Sequence, residues 1–268
     1  MLRILTLLIA LITLVSCGGD GATQVVTPSG VLAPTVITSG APFQSVLLIK
    51  RPDRFSVSKS CPPYLNYGLP SLEPVLLCRT AFAIGHSSKA RIPLWVIERL
   101  SLSSLFGGVE RSDNFRADPD LPMGQRAELS DYVGSGYDRG HMAPAGDMTW
   151  SNQAMTESFY LSNIAPQDST LNRGAWVKLE EMIRTWVTER AELYVFTGPL
   201  LAANDKLIGL SPVQVPYAFY KVIFDPQRSE AVAYVYPNAA PTRTDTTSYL
   251  VPLAQLELTA DLGFLSTR

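Results

Sequence analysis

The sequence predicts an α+β domain, an antiparallel-dominated sheet with helices packed on it. Three observations point there. Apolar, β-branched runs that read as strands mostly follow one another or alternate irregularly with helices. Two of them, Tyr217–Phe224 and Ala231–Tyr236, are separated only by Asp225-Pro226-Gln227-Arg228, whose Pro suits the second position of a type I turn. One helix stands out, Arg173–Glu189, with Trp176, Leu179, Ile183, Trp186 and Val187 on one face. A doubly wound parallel sheet would need strand and helix to alternate regularly.

The elements follow in chain order. Residues 1–16 read as a signal peptide. Arg3 supplies the positive start, and Ile4–Val15 is apolar except for Thr6 and Thr13, too short to span a bilayer. The run ends in Leu14-Val15-Ser16-Cys17 followed by Gly18-Gly19, which looks like a bacterial lipobox. The expectation is export, with Cys17 lipidated and the chain anchored at the periplasmic face of the outer membrane or at the cell surface. Residues 17–45 are rich in Gly, Ser, Thr, Pro and Ala and read as a tether. The folded domain is expected over 46–268. Val75–Ile84 reads as a strand, His86-Ser87-Ser88 as a turn and Ile92–Leu100 as the return strand. The stretch from Ser101 to Gly136 is loop-rich. Ser151–Tyr160 reads as a short helix with Ser151 as N-cap, and Leu193–Thr197 as a strand.

Composition is ordinary: 268 residues, 46% hydrophobic, 17% charged, formal net charge -2. No long run of like charge appears. That argues against passive coating of nucleic acid by a basic surface. It leaves room for an enzyme that needs only a local positive site and gains from releasing its product. With Cys17 lipidated, Cys61 and Cys78 remain. An oxidising compartment favours pairing them across a Pro-rich loop, the alternative being two buried thiols.

The chemistry concentrates in Tyr137-Asp138-Arg139-Gly140-His141-Met142-Ala143-Pro144-Ala145-Gly146-Asp147. The chain has two histidines. His86 falls in the expected turn and reads as structural. His141 lies two residues from Arg139, so on a strand both side chains share a face. A neighbouring guanidinium discourages protonation of the imidazole and suits a general base near neutral pH. Further on, Asn172 opens the long helix. At 100° per residue, Glu180 lies about 80° and Arg184 about 120° round from it. All three can border one cleft. Singly, Asn172 reads as a cap and Glu180/Arg184 as a surface pair.

Together these pieces resemble the DNA/RNA non-specific endonucleases of the ββα-metal type, which include endonuclease G. The resemblance runs from about Tyr67 to Phe264. It takes in Tyr67-Gly68-Leu69-Pro70, Trp95-Val96-Ile97-Glu98-Arg99, Phe115-Arg116-Ala117-Asp118, Asp138–His141, Leu161-Ser162-Asn163, Asn172–Trp176, Thr197-Gly198-Pro199 and Val215–Lys221. The stretch from Leu100 to Tyr137 is longer than the family's. By this resemblance His141 is the general base and Asn172 the metal ligand. Glu180 orients metal-bound water, Arg99 and Arg184 contact phosphate, Arg139 is the motif Arg and Asn163 supports the site. The cofactor implied is Mg²⁺, with Mn²⁺ as a substitute, and the products carry 5′-phosphates. The substrates implied are DNA and RNA, cut without regard to sequence. A homodimer and a protein inhibitor are partners the resemblance admits, without a signature of their own. Two rival functions share the motif set: a nucleic-acid receptor with a dead site, and a phosphodiesterase for smaller diesters.

Overall fold

The computed structural model describes residues 42–46, 49–50, 61, 64–67, 69–71 and 75–267. The expectations for the signal peptide, Cys17 and most of the tether lie outside the described residues.

The strands in chain order are β1 (Gln44–Ser45), β2 (Ile49–Lys50), β3 (Val75–Cys78), β4 (Phe82–Ser87) and β5 (Ile92–Ser101). They continue with β6 (Asp138–His141), β7 (Ile164–Gln167), β8 (Glu192–Leu200), β9 (Leu207–Ile208) and β10 (Val213–Gln214). The last are β11 (Ala218–Asp225), β12 (Glu230–Pro237), β13 (Leu250–Val251) and β14 (Ser266–Thr267). The helices are α1 (Leu102–Leu105), α2 (Asn152–Ser158), α3 (Ser169–Leu171), α4 (Val177–Arg190) and α5 (Leu253–Ala260).

The main sheet runs β1-β12-β11-β8-β5-β4-β3, with β13 against β12. Its described pairings are antiparallel. Both faces are covered, and alternation along β5 shows how. Val96 and Leu100 face one core with Leu179, Ile183 and Val187 of α4. Trp95 and Ile97 face the other with Phe196, Tyr220, Leu256 and Phe264. The helix face predicted from periodicity is therefore the buried one.

Several boundaries differ from the sequence expectation. Val75–Ile84 is two strands, because the chain reverses at residues 79–81, where Arg79 N–H donates to the Phe82 carbonyl at 2.8 Å. The apolar residues on both sides hide that turn. His86 lies in β4 rather than in a turn, fully buried, its Nε2 3.1 Å from the Gln125 carbonyl. The reversal comes later, and Arg91 takes the left-handed conformation at φ 59°. The expected tether overreaches. Gln44 and Ser45 pair with Ala231 and Glu230, while Phe43 packs edge-on to Trp186 at 5.0 Å and under Arg190. An aromatic ring among small polar residues supplies the burial that their composition alone lacks.

Two local expectations hold. The Ser151 hydroxyl caps α2 by accepting from Ala154 N–H at 3.3 Å. The turn between β11 and β12 is fastened by Asp225 Oδ1, which accepts from Gln227 N–H at 2.9 Å and Arg228 N–H at 3.0 Å. Cys61 and Cys78 form a disulfide with Cα atoms 5.2 Å apart. It ties the segment before β3 to the edge of the sheet. Replacing both cysteines by Ser should lower stability by about 3 kcal/mol, the loop-closure value for a link of this span. The midpoint of urea unfolding measures it, and an unchanged midpoint would mean that the crosslink restrains little.

Candidate active site

The site is built on a ββα unit. β6 pairs antiparallel with β7, setting Asp138 opposite Gln167 and His141 opposite Ile164. The Gln167 side chain fills the space beside Gly140, and a Cβ there would collide with its Oε1 and Cβ, which explains the glycine in the motif. After β7 the chain turns into a helix at Asp168, whose Oδ1 accepts from Thr170 N–H at 2.9 Å and Leu171 N–H at 3.0 Å. The long helix thus starts four residues before the predicted Arg173, and Asn172 is not its cap.

Residues Asn172–Trp176 form a π-helical turn between α3 and α4. The i→i+5 spacing takes up about one extra residue relative to an α-turn. That slip changes the helical phase. Glu180 falls about 20° from the Asn172 direction rather than 80°, and Arg184 about 20° rather than 120°. Asn172, Glu180 and Arg184 therefore lie along one stripe of the helix. They line a cleft of about 540 Å³ together with Asp138, Arg139 and His141 of β6.

His141 is 8% exposed and sits between Phe115 and Phe159, at centroid distances of 5.3 Å and 4.9 Å. Its Nε2 is sealed from solvent and unpaired among the described residues, leaving Nδ1 as the ring nitrogen open to the cleft. Burial, reinforced by the Arg111 and Arg139 guanidinium groups, pushes its pKa down to about 3. The ring is neutral at physiological pH and can accept a proton. Arg139 lies over the Phe115 ring at 4.3 Å.

Asp138 organises the side of the cleft formed by the helix start. It accepts from Asn172 Nδ2 at 3.0 Å and from Arg173 Nε and Nη2 at 2.7 and 2.6 Å. Burial would raise the Asp138 pKa, but the hydrogen bonds from Arg173 and Asn172 outweigh it and hold the carboxyl below its ordinary value. With its NH₂ committed to a carboxylate, Asn172 turns its amide Oδ1 away from Asp138, free of any hydrogen bond among the described residues. The described residues hold no group of three His, Cys, Asp or Glu side chains able to bind a metal. A cation here must keep most of its waters. A single neutral oxygen with Glu180 in the same cleft is a donor set that fits a hard divalent cation keeping its waters.

Beneath the cleft lies a buried charged layer. Glu180 is 9% exposed, and burial raises its pKa to about 7, Lys221 opposing and Asp147 assisting. Burial and the neighbouring Asp147 also hold Glu98 well above its ordinary value, Lys221 opposing. Lys221 donates from Nζ to Thr197 Oγ1 at 2.8 Å and to the Met142 carbonyl at 3.3 Å. Arg184 pairs with Asp147 at 2.9 Å. Asn163 is wholly buried and touches no part of the cleft. Its Oδ1 accepts from Ala143 N–H at 3.0 Å, and its Nδ2 donates to the Ala143 and Ser158 carbonyls, both at 2.9 Å. It fixes the backbone just after His141.

Arg99 is the exception. It projects from the far face of β5, with Trp95 and Ile97, and pairs with Glu192 through Nε at 2.7 Å. Strand alternation gives the cleft side to Glu98 instead. Arg111 from the long loop occupies the cleft, over the Phe159 ring at 5.0 Å. Sequence reasoning missed Arg111, Lys221, Asp147 and the orienting part of Asp138. Asp138 and Asp147 carried a signal by flanking His141 within one motif, and Lys221 by closing the Val215–Lys221 segment of the resemblance.

The family model for DNA/RNA non-specific endonucleases matches residues 62–268. The chain belongs to that family. Nuclease C1 of Cunninghamella echinulata var. echinulata is 38% identical over 217 residues, 75% of this chain and 86% of that protein. Human mitochondrial endonuclease G is 36% identical over 215 residues, 75% of this chain and 72% of that protein. Human mitochondrial nuclease EXOG is 37% identical over 218 residues, 74% of this chain but 59% of that protein. A solved structure, that of an EndoG/EndoGI complex addressing EndoG inhibition, superposes with TM-score 0.72 at 33% identity. It covers 76% of this chain and 91% of that one. The α+β architecture is thus the endonuclease G architecture.

The neutral, buried His141 makes this endonuclease sensitive to acid. Its folded pKa of about 3 lies below the ordinary value of 6.5, so the unfolded state binds the extra proton between them. Its contribution to stability is complete above that ordinary value and is lost as pH falls towards 3. Urea unfolding at pH 7 and pH 4.5 should show a drop that is smaller in His141→Leu. An equal drop in both proteins would place the titration elsewhere.

Proposed function

We propose that this endonuclease hydrolyses phosphodiester bonds in DNA and RNA without sequence preference, leaving 5′-phosphate ends, with His141 as general base. The observation that carries this is a neutral imidazole, open at one nitrogen, in the same cleft as an amide oxygen left free and four guanidinium groups, one of them (Arg173) tied to Asp138.

A phosphodiester repels nucleophiles because it is an anion. The chain must activate water and oppose charge gathering on the five-coordinate phosphorus. His141 Nδ1 takes the proton of the attacking water, and burial keeps it unprotonated beforehand. Arg111, Arg139 and Arg184 line the cleft and oppose the negative charge on the phosphate oxygens. Arg111 takes the place that the resemblance gave to Arg99. Asn172 Oδ1 would hold a divalent cation, Mg²⁺ or Mn²⁺, and Glu180 would order water beside it. Such a cation would supply positive charge against the charge that develops in the reaction. Contacts to backbone phosphate alone give indifference to base sequence. The even charge balance keeps binding weak and salt-sensitive, which favours turnover over retention.

We assign the chain to the exported, lipid-anchored proteins on the strength of Leu14–Cys17 and the Cys61–Cys78 disulfide. Cys17→Ser should move the protein from the detergent to the aqueous phase in a phase-separation assay. Partition unchanged by the substitution would remove the anchor.

Plasmid nicking and RNA degradation with added Mg²⁺, with EDTA and by His141→Ala address the activity. Both polymers should be cut with Mg²⁺ and spared in EDTA, and the variant should lose about 10²–10⁴-fold. A folded, Mg²⁺-supplied wild type that cuts neither polymer would overturn the nuclease proposal and favour the receptor.

A further inference from the structure

The turn after the His141 strand carries an acid with no assigned part. Pro144 leads into a short 3₁₀ turn, Ala145–Asp147, closed by Asp147 N–H donating to the Pro144 carbonyl at 3.0 Å. The Asp147 side chain is 3% exposed and accepts from Arg184 Nη1 at 2.9 Å. Arg184 keeps 27% of its side chain exposed, so one edge of the guanidinium is anchored while the rest opens on the cleft. The turn is shaped for it. A Cβ on Gly146 would lie 3.1 Å from Arg184 Nη1, 3.5 Å from Cζ and 3.8 Å from Nη2, so the guanidinium rests against the bare Gly146 backbone.

We infer that Asp147, with Gly146, is a positioning residue that holds the Arg184 guanidinium where it meets the scissile phosphate. This rests on the nuclease proposal above. A buried carboxylate is costly, and burial raises the Asp147 pKa while the Arg184 guanidinium and Lys221 oppose it. Apolar packing would serve stability better. What the carboxylate adds is direction. An untethered Arg samples many rotamers, and a planar fork engages phosphate only in a narrow range of orientations. The tether also joins the strand bearing the base to the helix bearing the clamp, so His141 and Arg184 keep one register.

The test is a double-mutant cycle on the full chain, with kcat and KM measured on plasmid DNA and folding checked by thermal melting. Asp147→Ala should lower kcat/KM by about 10–100-fold, the usual loss when an orienting partner is removed. In an Arg184→Ala background the same substitution should change it by less than about twofold, since the partner is already gone. Asp147→Asn keeps an oxygen for Nη1 and should restore most of the activity. Should Asp147→Ala not fold, Gly146→Ala displaces the same guanidinium and should show the same dependence on background. Equal losses in both backgrounds, or none in either, would overturn the inference. An active wild type with an equally active Arg184→Ala would overturn it while leaving the nuclease proposal standing. An inactive wild type would remove both.

Discussion

The site depends on one carboxylate. Asp138 stands at the start of the strand that ends in His141, and it grips two consecutive residues of the helix, Asn172 and Arg173. Through those bonds a strand and a helix that are 34 residues apart in sequence become one rigid piece. The same bonds decide which end of the Asn172 amide faces the cleft. The placement of the His141 strand, the orientation of the Asn172 amide and the helix register are consequences of a single anion held by three N–H donors.

Around that piece the protein tolerates an arrangement that ordinary packing would avoid. Glu98, Asp147 and Lys221, all nearly inaccessible, are drawn together with Glu180 and Arg184 of the cleft lining. Charges so placed are stable only because they compensate one another and because Thr197 and the Met142 carbonyl satisfy Lys221. The result is a floor of fixed dipoles and charges in a poorly screened setting, where each acts more strongly on the phosphate above than it would in water.

Much of this was legible in the chain. The antiparallel class followed from the run of strands, the buried face of α4 from its period, and His141, Arg139, Asn172, Glu180 and Arg184 from one motif and its spacing. The failures have physical causes. On β5, Trp95 and Ile97 are as apolar as Val96 and Leu100, so local pattern does not say which face carries the cleft, and Arg99 rested on the resemblance alone. Arg111 lies in a loop without periodicity, where only tertiary contacts show its position. The Phe43 ring and the strand that follows it were masked by small, polar neighbours. The regular 100° rotation assumed for the helix passed over the wide turn at Asn172.

That wide turn carries a further consequence. Regular helix would put Asn172 well off the line of Glu180 and Arg184, and the extra residue brings all three into line. Deleting one residue from the segment would let the helix relax to a uniform winding, with its apolar stripe still against the sheet. The fold would survive and the cation site would not. Loss of catalysis in such a lineage would be a change of length rather than of chemistry, leaving His141, Asn172 and Glu180 in place as residues that no longer meet.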